Sequence, residues 1–350
     1  MDAHEELVLR LAEKRRRKLD LSSSGYAELV LAVREDPAKF VDDPAEEAFS
    51  VVTQALGRYE ESHRKDDFLS DEDFMAERKR RLERMREDCE RALAVDDGCT
   101  DARLLSVLAR DEEPDALLDL LLDIEKDIAD QGLALSGANA AGASFLAPDG
   151  AGSGGAVGTG ERTTGGSTDA WTDVFARPYL RVQAAVARTC LDTARYRMAN
   201  AEGQRLLSEA RSDVLGARHT CALALARLED EEGFDELDSR YGRFGDSWTH
   251  LGRVILLYKL GRMGAARRAL AGFDNLCEGG IYALLRPVMA DTYMPDRPLT
   301  RPYSFEEATL AVHEADPIVV DVPDLPAWAE AQPGMRESAM SFARKSGFDW

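Results

Sequence analysis

Asp115, Asp119, Asp123 and Asp127 recur every four residues, a spacing that stacks four carboxylates along one face of a helix. Carboxylate oxygens suit a hard cation such as magnesium, which engages one or two of them and keeps several waters. The same spacing also makes the wet side of an amphipathic helix whose other side is Leu117, Leu118, Leu121 and Ile124. The histidines, His4, His63, His219, His250 and His313, are scattered, and none has another four residues away as a helical zinc site requires. His219 and Cys221 are close in sequence, but on a helix their side chains diverge by about 200° and cannot share a metal. No nucleophile elbow, phosphate loop or dinucleotide fingerprint occurs. The residues therefore point to a chain without catalytic, cofactor or dedicated metal residues, with a metal-dependent enzyme built on the aspartate stripe as the alternative.

The chain has 350 residues, with 44 Lys and Arg against 65 Asp and Glu, a net charge of −21. Such a balance disfavours nucleic acid, whose phosphates demand a basic footprint. Hydrophobic residues make up 44%, enough for a chain of this length to bury a substantial core. The five cysteines, Cys89, Cys99, Cys190, Cys221 and Cys277, are odd in number and widely spaced, unlike a disulfide framework or a zinc knuckle. No apolar run approaches the ~20 residues of a membrane span. The basic cluster Lys14 to Lys18 follows the first apolar stretch, the reverse of a secretory signal. A reduced, cytoplasmic protein with no membrane contact is expected.

The elements that must position any site are helical. Asp43-Pro44-Ala45-Glu46 combines a capping acid, a first-turn proline and a glutamate three residues after the cap, and Phe49, Val52, Leu56 and Tyr59 then mark one helical face. A second stripe runs through Met75, Leu82, Met85, Cys89 and Ala92. Between Gly137 and Gly166 the chain is almost entirely Gly, Ala, Ser and Thr, a composition that buries too little surface to offset its ordering entropy. The expected organisation is an N-terminal helical domain over 1–133, a flexible linker over 134–170, helix pairs over 171–315 and a tail over 316–350 that packs on them. Ser304-Phe305-Glu306-Glu307 has capping-box spacing, while Ile318-Val319-Val320, between Pro317 and Pro323, reads as extended.

Trp248-x-x-Leu251-Gly252-x-x-Ile255, then Gly261 and Ala266-x-x-x-Leu270, resembles the tetratricopeptide repeat, with Ile255 and Leu270 where that family prefers Tyr and Phe. The interval from Trp248 to Gly261 is two residues longer than the family spacing. Weaker echoes are Arg91 to Asp97 and Ala311 to Pro317. Over about 178–334 the chain is also similar to bacterial tetratricopeptide-like relatives of the suppressor of tumorigenicity 7 family. That likeness is carried by Asp213-x-x-Gly216-Ala217-Arg218, the Trp248 segment, Ser304 to Ala308 and Trp328. It implies an all-α fold, a helical bundle followed by a degenerate array of helix pairs, and no established chemistry.

The expected function is a protein-protein interaction scaffold that binds a peptide or partner protein on the concave face of the array. Thr249, Arg253 and Leu256 follow one another at helical steps and are the candidate contacts. Between Arg253 and Arg301 eight basic residues face four acidic ones. This local inversion can attract an acidic peptide or the chain's own acidic N-terminal half, but chance clustering on a solvated surface is the leading account of it. Docking of the two halves on each other, or self-association, is the third reading.

Overall fold

A computed structural model describes residues 2–130, 169–243, 245–287 and 294–350, and among the described residues the chain is all-α, with no strand. The expected linker over 134–170 lies almost wholly outside the described residues. The described residues form sixteen α-helices in chain order: α1 (Ala3–Leu19), α2 (Ser23–Glu35), α3 (Pro44–Ser62), α4 (Asp71–Val95), α5 (Thr100–Leu108), α6 (Pro114–Asp130), α7 (Arg177–Asp192), α8 (Tyr196–Glu209), α9 (Ala217–Leu228), α10 (Glu231–Arg240), α11 (Ser247–Lys259), α12 (Met263–Leu276), α13 (Gly280–Leu285), α14 (Phe305–Val320), α15 (Asp324–Glu330) and α16 (Met335–Ser346).

Two compact units interleave along the sequence. The first comprises Met1–Asp111, Leu120–Val182 and Ser208–Val214; the second comprises Glu112–Asp119, Gln183–Leu207 and Leu215–Trp350. This differs from the expected division, because the stretch following the Gly-rich segment belongs partly with the first unit. An ion cluster that composition does not reveal ties this stretch to α1 and α5. Arg181 grips the Glu6 carboxylate with both terminal nitrogens, at 2.9 and 2.6 Å, and reaches Asp101 at 3.3 Å. Arg10 joins the same two acids at 2.5 and 2.7 Å. Glu6 is only 1% exposed. Burial alone would raise its pKa, but Arg10, Arg181 and Arg177 hold it far below the usual carboxylate range. A buried ion cluster of this kind is intolerant of losing any one member, because the partner left behind keeps its desolvation penalty.

Elsewhere in the first unit α3 packs along α4, and α1 packs on α2 and α3. The Asp43 carboxylate accepts from the Glu46 amide at 3.0 Å and starts α3, whose Phe49, Val52, Leu56 and Tyr59 are buried as their spacing predicts. In α4 Leu82, Met85, Cys89 and Ala92 are buried, but Met75, two turns earlier, is exposed.

In the second unit α11 is the central helix, packed by α9, α12 and α14. Gly261 adopts φ +70°, the left-handed conformation that turns the chain from α11 into α12. Gly252 serves a different contact: a Cβ there would stand 3.1 Å from Phe234 of α10 and 3.6 Å from the Ala222 carbonyl oxygen of α9. The small residue thus admits the preceding helices, not α12. The Ser304 hydroxyl caps α14 through the Glu307 amide at 3.3 Å, while Glu307 reaches back to the Tyr303 amide at 2.9 Å.

The expectation for Ile318 to Val320 is corrected, since all three belong to α14, which continues through Pro317. Pro317 removes one backbone donor, but Ile318 is fully buried and its packing carries the helix past the interruption. Residues 321–350 contain α15 and α16, and α16 packs on α12 and α13.

Candidate functional site

The Trp248 segment sits on the most heavily bonded part of the second unit. Asp246 caps α11 by accepting from the Thr249 amide at 2.8 Å. Its second carboxylate oxygen lies 3.3 Å from Arg218 Nε and 3.3 Å from His219 Nδ1. Burial opposes the charge on Asp246, but His219, the Thr249 amide and Arg218 together hold its pKa well below the ordinary range. The His219 ring stacks on Trp248 with centroids 4.0 Å apart. At the edge of the indole, Trp248 Nε1–H donates to Glu314 at 2.8 Å. Arg297 clasps the same Glu314 carboxylate at 2.7 and 3.0 Å and donates to the carbonyls of Leu215 and Gly216 at 2.6 and 2.7 Å. Ser247 is tied to Glu307 through both its amide, at 3.1 Å, and its hydroxyl, at 2.7 Å. These bonds make the network a framework that fixes α11 against α9 and α14, although the buried His219 Nδ1 and His250 Nε2 make no hydrogen bond within it.

Beside that framework is a cavity of about 230 Å³ bounded by α9, α10, the turn before α11 and the first turn of α11. Its apolar surface comes from Ala222, Phe234, Leu237 and the Tyr241 ring; Arg218, Asp238, Asp246 and Thr249 supply its polar edge. The volume falls short of the ~300–1,000 Å³ typical of small-molecule pockets and suits one large side chain. Every charged group on the wall already has a partner. Arg218 faces Asp246 and lies 5.4 Å from the Tyr241 ring, and Asp238 accepts from Arg253 at 2.8 Å.

The three residues expected to contact a partner are separated by the fold. Thr249 lines the cavity. Arg253 lies outside its wall as a brace, bonded to Asp235 and Asp238 at 2.8 Å each and held over the Phe234 ring at 4.8 Å. Leu256 is 0% exposed and cannot touch a partner. Helical spacing placed it beside Arg253, but α11 is covered on several sides, and spacing alone does not reveal how many neighbours a helix has. Phe234, Leu237 and Tyr241 stand out in sequence only by their three- and four-residue steps within an acidic stretch.

The basic stretch from Arg253 to Arg301 is largely neutralised in space. Besides Arg253, Lys259 meets Glu229 at 3.1 Å, Arg262 meets Glu231 at 2.5 Å, Arg297 meets Glu314 and Arg301 meets Glu278 at 3.3 Å. What remains of the excess counted along the sequence is Arg267, Arg268 and Arg286, all three exposed. In the aspartate stripe all four residues are exposed on α6, Asp115 pairs with Arg195 at 2.6 Å and Asp127 pairs with Arg103. Among the described residues no group of three or more His, Cys, Asp or Glu side chains is placed to hold a metal ion. Nor is any helix among them long and apolar enough to cross a membrane.

No protein-family model, no curated protein and no solved structure matches the chain.

Proposed function

We propose that the chain is a non-catalytic interaction scaffold with a tetratricopeptide-like helix pair at α11 and α12, and that a peptide or partner protein docks at the cavity between α9, α10 and the start of α11. The observation that carries this reading is the cavity itself, an apolar concavity of about 230 Å³ mounted on a rigid buried network. Rigid mounting favours recognition, because a pre-formed contact surface loses little conformational freedom on binding. The tetratricopeptide reading rests on the packing of α11 along α12 with Trp248, Leu251, Ile255, Ala266, Leu270 and Phe273 all buried. The five cysteines are free and buried, in keeping with a reducing, cytoplasmic setting.

The test is site-specific photocrosslinking in the native cell, with a diazirine side chain no larger than leucine, too small to fill the cavity, at Thr249 or, as a control on the exposed face of α12, at Arg267. A partner captured from 249 and not from 267 should, once purified, lose at least tenfold in affinity for Thr249→Trp, which fills the cavity. Capture with equal yield at both positions, or an affinity unchanged by the substitution, refutes the assignment.

A further inference from the structure

We infer that residues Phe348–Trp350 are an autoinhibitory strap: an internal ligand seated on an aromatic docking surface whose external partner is a peptide of the same chemistry, Phe-x-Trp. The surface is built by α13, α14 and α16 and shares no residue with the cavity at α9 and α10, so it does not rest on the docking reading above. Its floor is three rings, Tyr282, Phe305 and Phe342. Phe305 and Phe342 lie 4.8 Å apart between centroids, and Tyr282 lies 5.7 Å from Phe342 and 6.0 Å from Phe305. Gly279, at φ +65°, permits this approach, because a Cβ there would stand 2.6 Å from Phe342 and 2.7 Å from Phe305. Gly347, at φ +76°, ends α16 in the left-handed conformation, and the Phe348 amide donates back to the Ala343 carbonyl at 2.9 Å. That turn lays the next three residues on the floor. The Phe348 ring stacks on Tyr282, 5.5 Å away and 17° from parallel, and lies 5.4 Å from Phe305. Tyr282 Oη–H donates to the Asp349 carbonyl at 3.1 Å. Trp350 lies 6.5 Å from Tyr282, and the Arg286 guanidinium sits 4.8 Å from the Trp350 ring. A ring, a backbone carbonyl and an indole each thus meet a counterpart, and the seated strap itself states the chemistry that the surface accepts.

The strap and its floor differ in how firmly they are held. Phe348 is 43% exposed, Asp349 is exposed, and residues 348–350 lie outside any helix. Short exposed segments of this kind open at little cost. Tyr282 is 7% exposed in α13, which α14 and α16 pack, so the floor stays when the strap lifts. Lifting bares Tyr282, Phe305 and Phe342 beside a cavity of about 270 Å³ that Tyr282 and Phe342 also line. A continuous aromatic patch of that kind marks an interaction surface. In the closed chain the strap competes from a high effective concentration, so an external peptide meets only the open fraction.

The experiment titrates the full chain and its Phe348→Ser, Trp350→Ser double variant into a fluorescein-labelled peptide, Ser-Gly-Phe-Asp-Trp, and reads anisotropy. The double variant, which removes the strap's rings and leaves the floor, is expected to bind at least about tenfold more tightly than the parent. A control peptide with Ser in place of both aromatic residues should not bind. Adding Tyr282→Phe to the double variant removes only the hydroxyl and should weaken binding by about twofold or more. If the double variant fails to fold, Gly347→Val replaces it. A Cβ there meets nothing within 4 Å, so the substitution penalises only the turn and should raise the affinity in the same direction. Equal affinity of parent and strap variants, no binding by either, or binding that Tyr282→Phe leaves unchanged overturns the inference. So does a parent dimer in sedimentation that the double variant dissociates, since the strap would then serve a second copy.

Discussion

Glu314→Gln isolates the charge at the centre of the second unit's framework. The amide keeps an oxygen to accept from Trp248 Nε1, now at 2.8 Å, but Arg297 loses the carboxylate it clasps at 2.7 and 3.0 Å. Arg297 is 9% exposed and cannot turn to water, so its charge is left with the Leu215 and Gly216 carbonyls as its principal acceptors. Breaking a buried pair from one side costs about 3–5 kcal/mol. With each kcal/mol lowering the melting temperature by roughly 2–4 °C in a unit of this size, the expected fall is about 6–20 °C. Arg297→Met should cost a similar amount, since it strands Glu314. If the two effects were independent the double variant would lose roughly 6–10 kcal/mol, but both substitutions break the same pair. The double variant is therefore expected to lose at least ~2 kcal/mol less than the additive value, near the cost of either single change. Urea unfolding followed by far-ultraviolet circular dichroism measures all three. An additive double variant, or a Glu314→Gln protein within about 1 kcal/mol of the parent, would show that the clasp is not the framework described.

The two sequence candidates on α11 should behave oppositely: Leu256→Ala, a truncation in a close-packed core, should cost about 2–5 kcal/mol in the same unfolding assay, whereas Arg253→Ala, whose ion pairs are partly exposed, should cost no more than about 1 kcal/mol. Similar losses for both would return Leu256 to the surface. The chain should also be acid-sensitive. Glu6 and Asp246 have folded-state pKa values held below their unfolded ones, so their contribution is complete above roughly pH 5 and is lost as the pH falls from about 4 toward their folded values. Melting temperatures measured from pH 6 down to pH 2 should fall over that interval, with a shallower slope in Asp246→Asn; parallel slopes would contradict the linkage. Finally, burial pushes the Cys89 and Cys99 thiols up to about 12 and Cys277 up to about 11. A thiol reagent at pH 8 should therefore modify the native protein at least 100-fold more slowly than the urea-unfolded chain, and rapid labelling of the native thiols would refute the burial.

Helix type and helix starts were legible from the residues alone, because they are set by interactions within a few positions of one another. The caps at Asp43 and Ser304 and the buried faces of α3 and of the Trp248 to Phe273 pair depend on local spacing, and the structure has each of them. Local signals failed where a distant neighbour decided the outcome. Pro317 and Pro323 bracket a segment that reads as extended, yet Ile318 is held in the core and α14 runs through.

Charge was the least legible property. Glu6, Arg10, Asp101 and Arg181 are unremarked members of their own helices until the fold brings them within 3.3 Å of one another. The basic stretch and the aspartate stripe were conspicuous in sequence, and much of each is cancelled by partners drawn from other helices. Leu256 and Thr249 lie seven residues apart on one helix, a spacing that predicts a shared face; the helices packed around α11 bury the first and leave the second at a cavity. The sequence by itself thus determined which segments are helical and which side of most helices is apolar, because periodicity and capping act over one or two turns. Tertiary structure alone decided which charges remain available and which positions face a ligand, because electrostatic pairing and burial depend on distances between residues far apart in the chain.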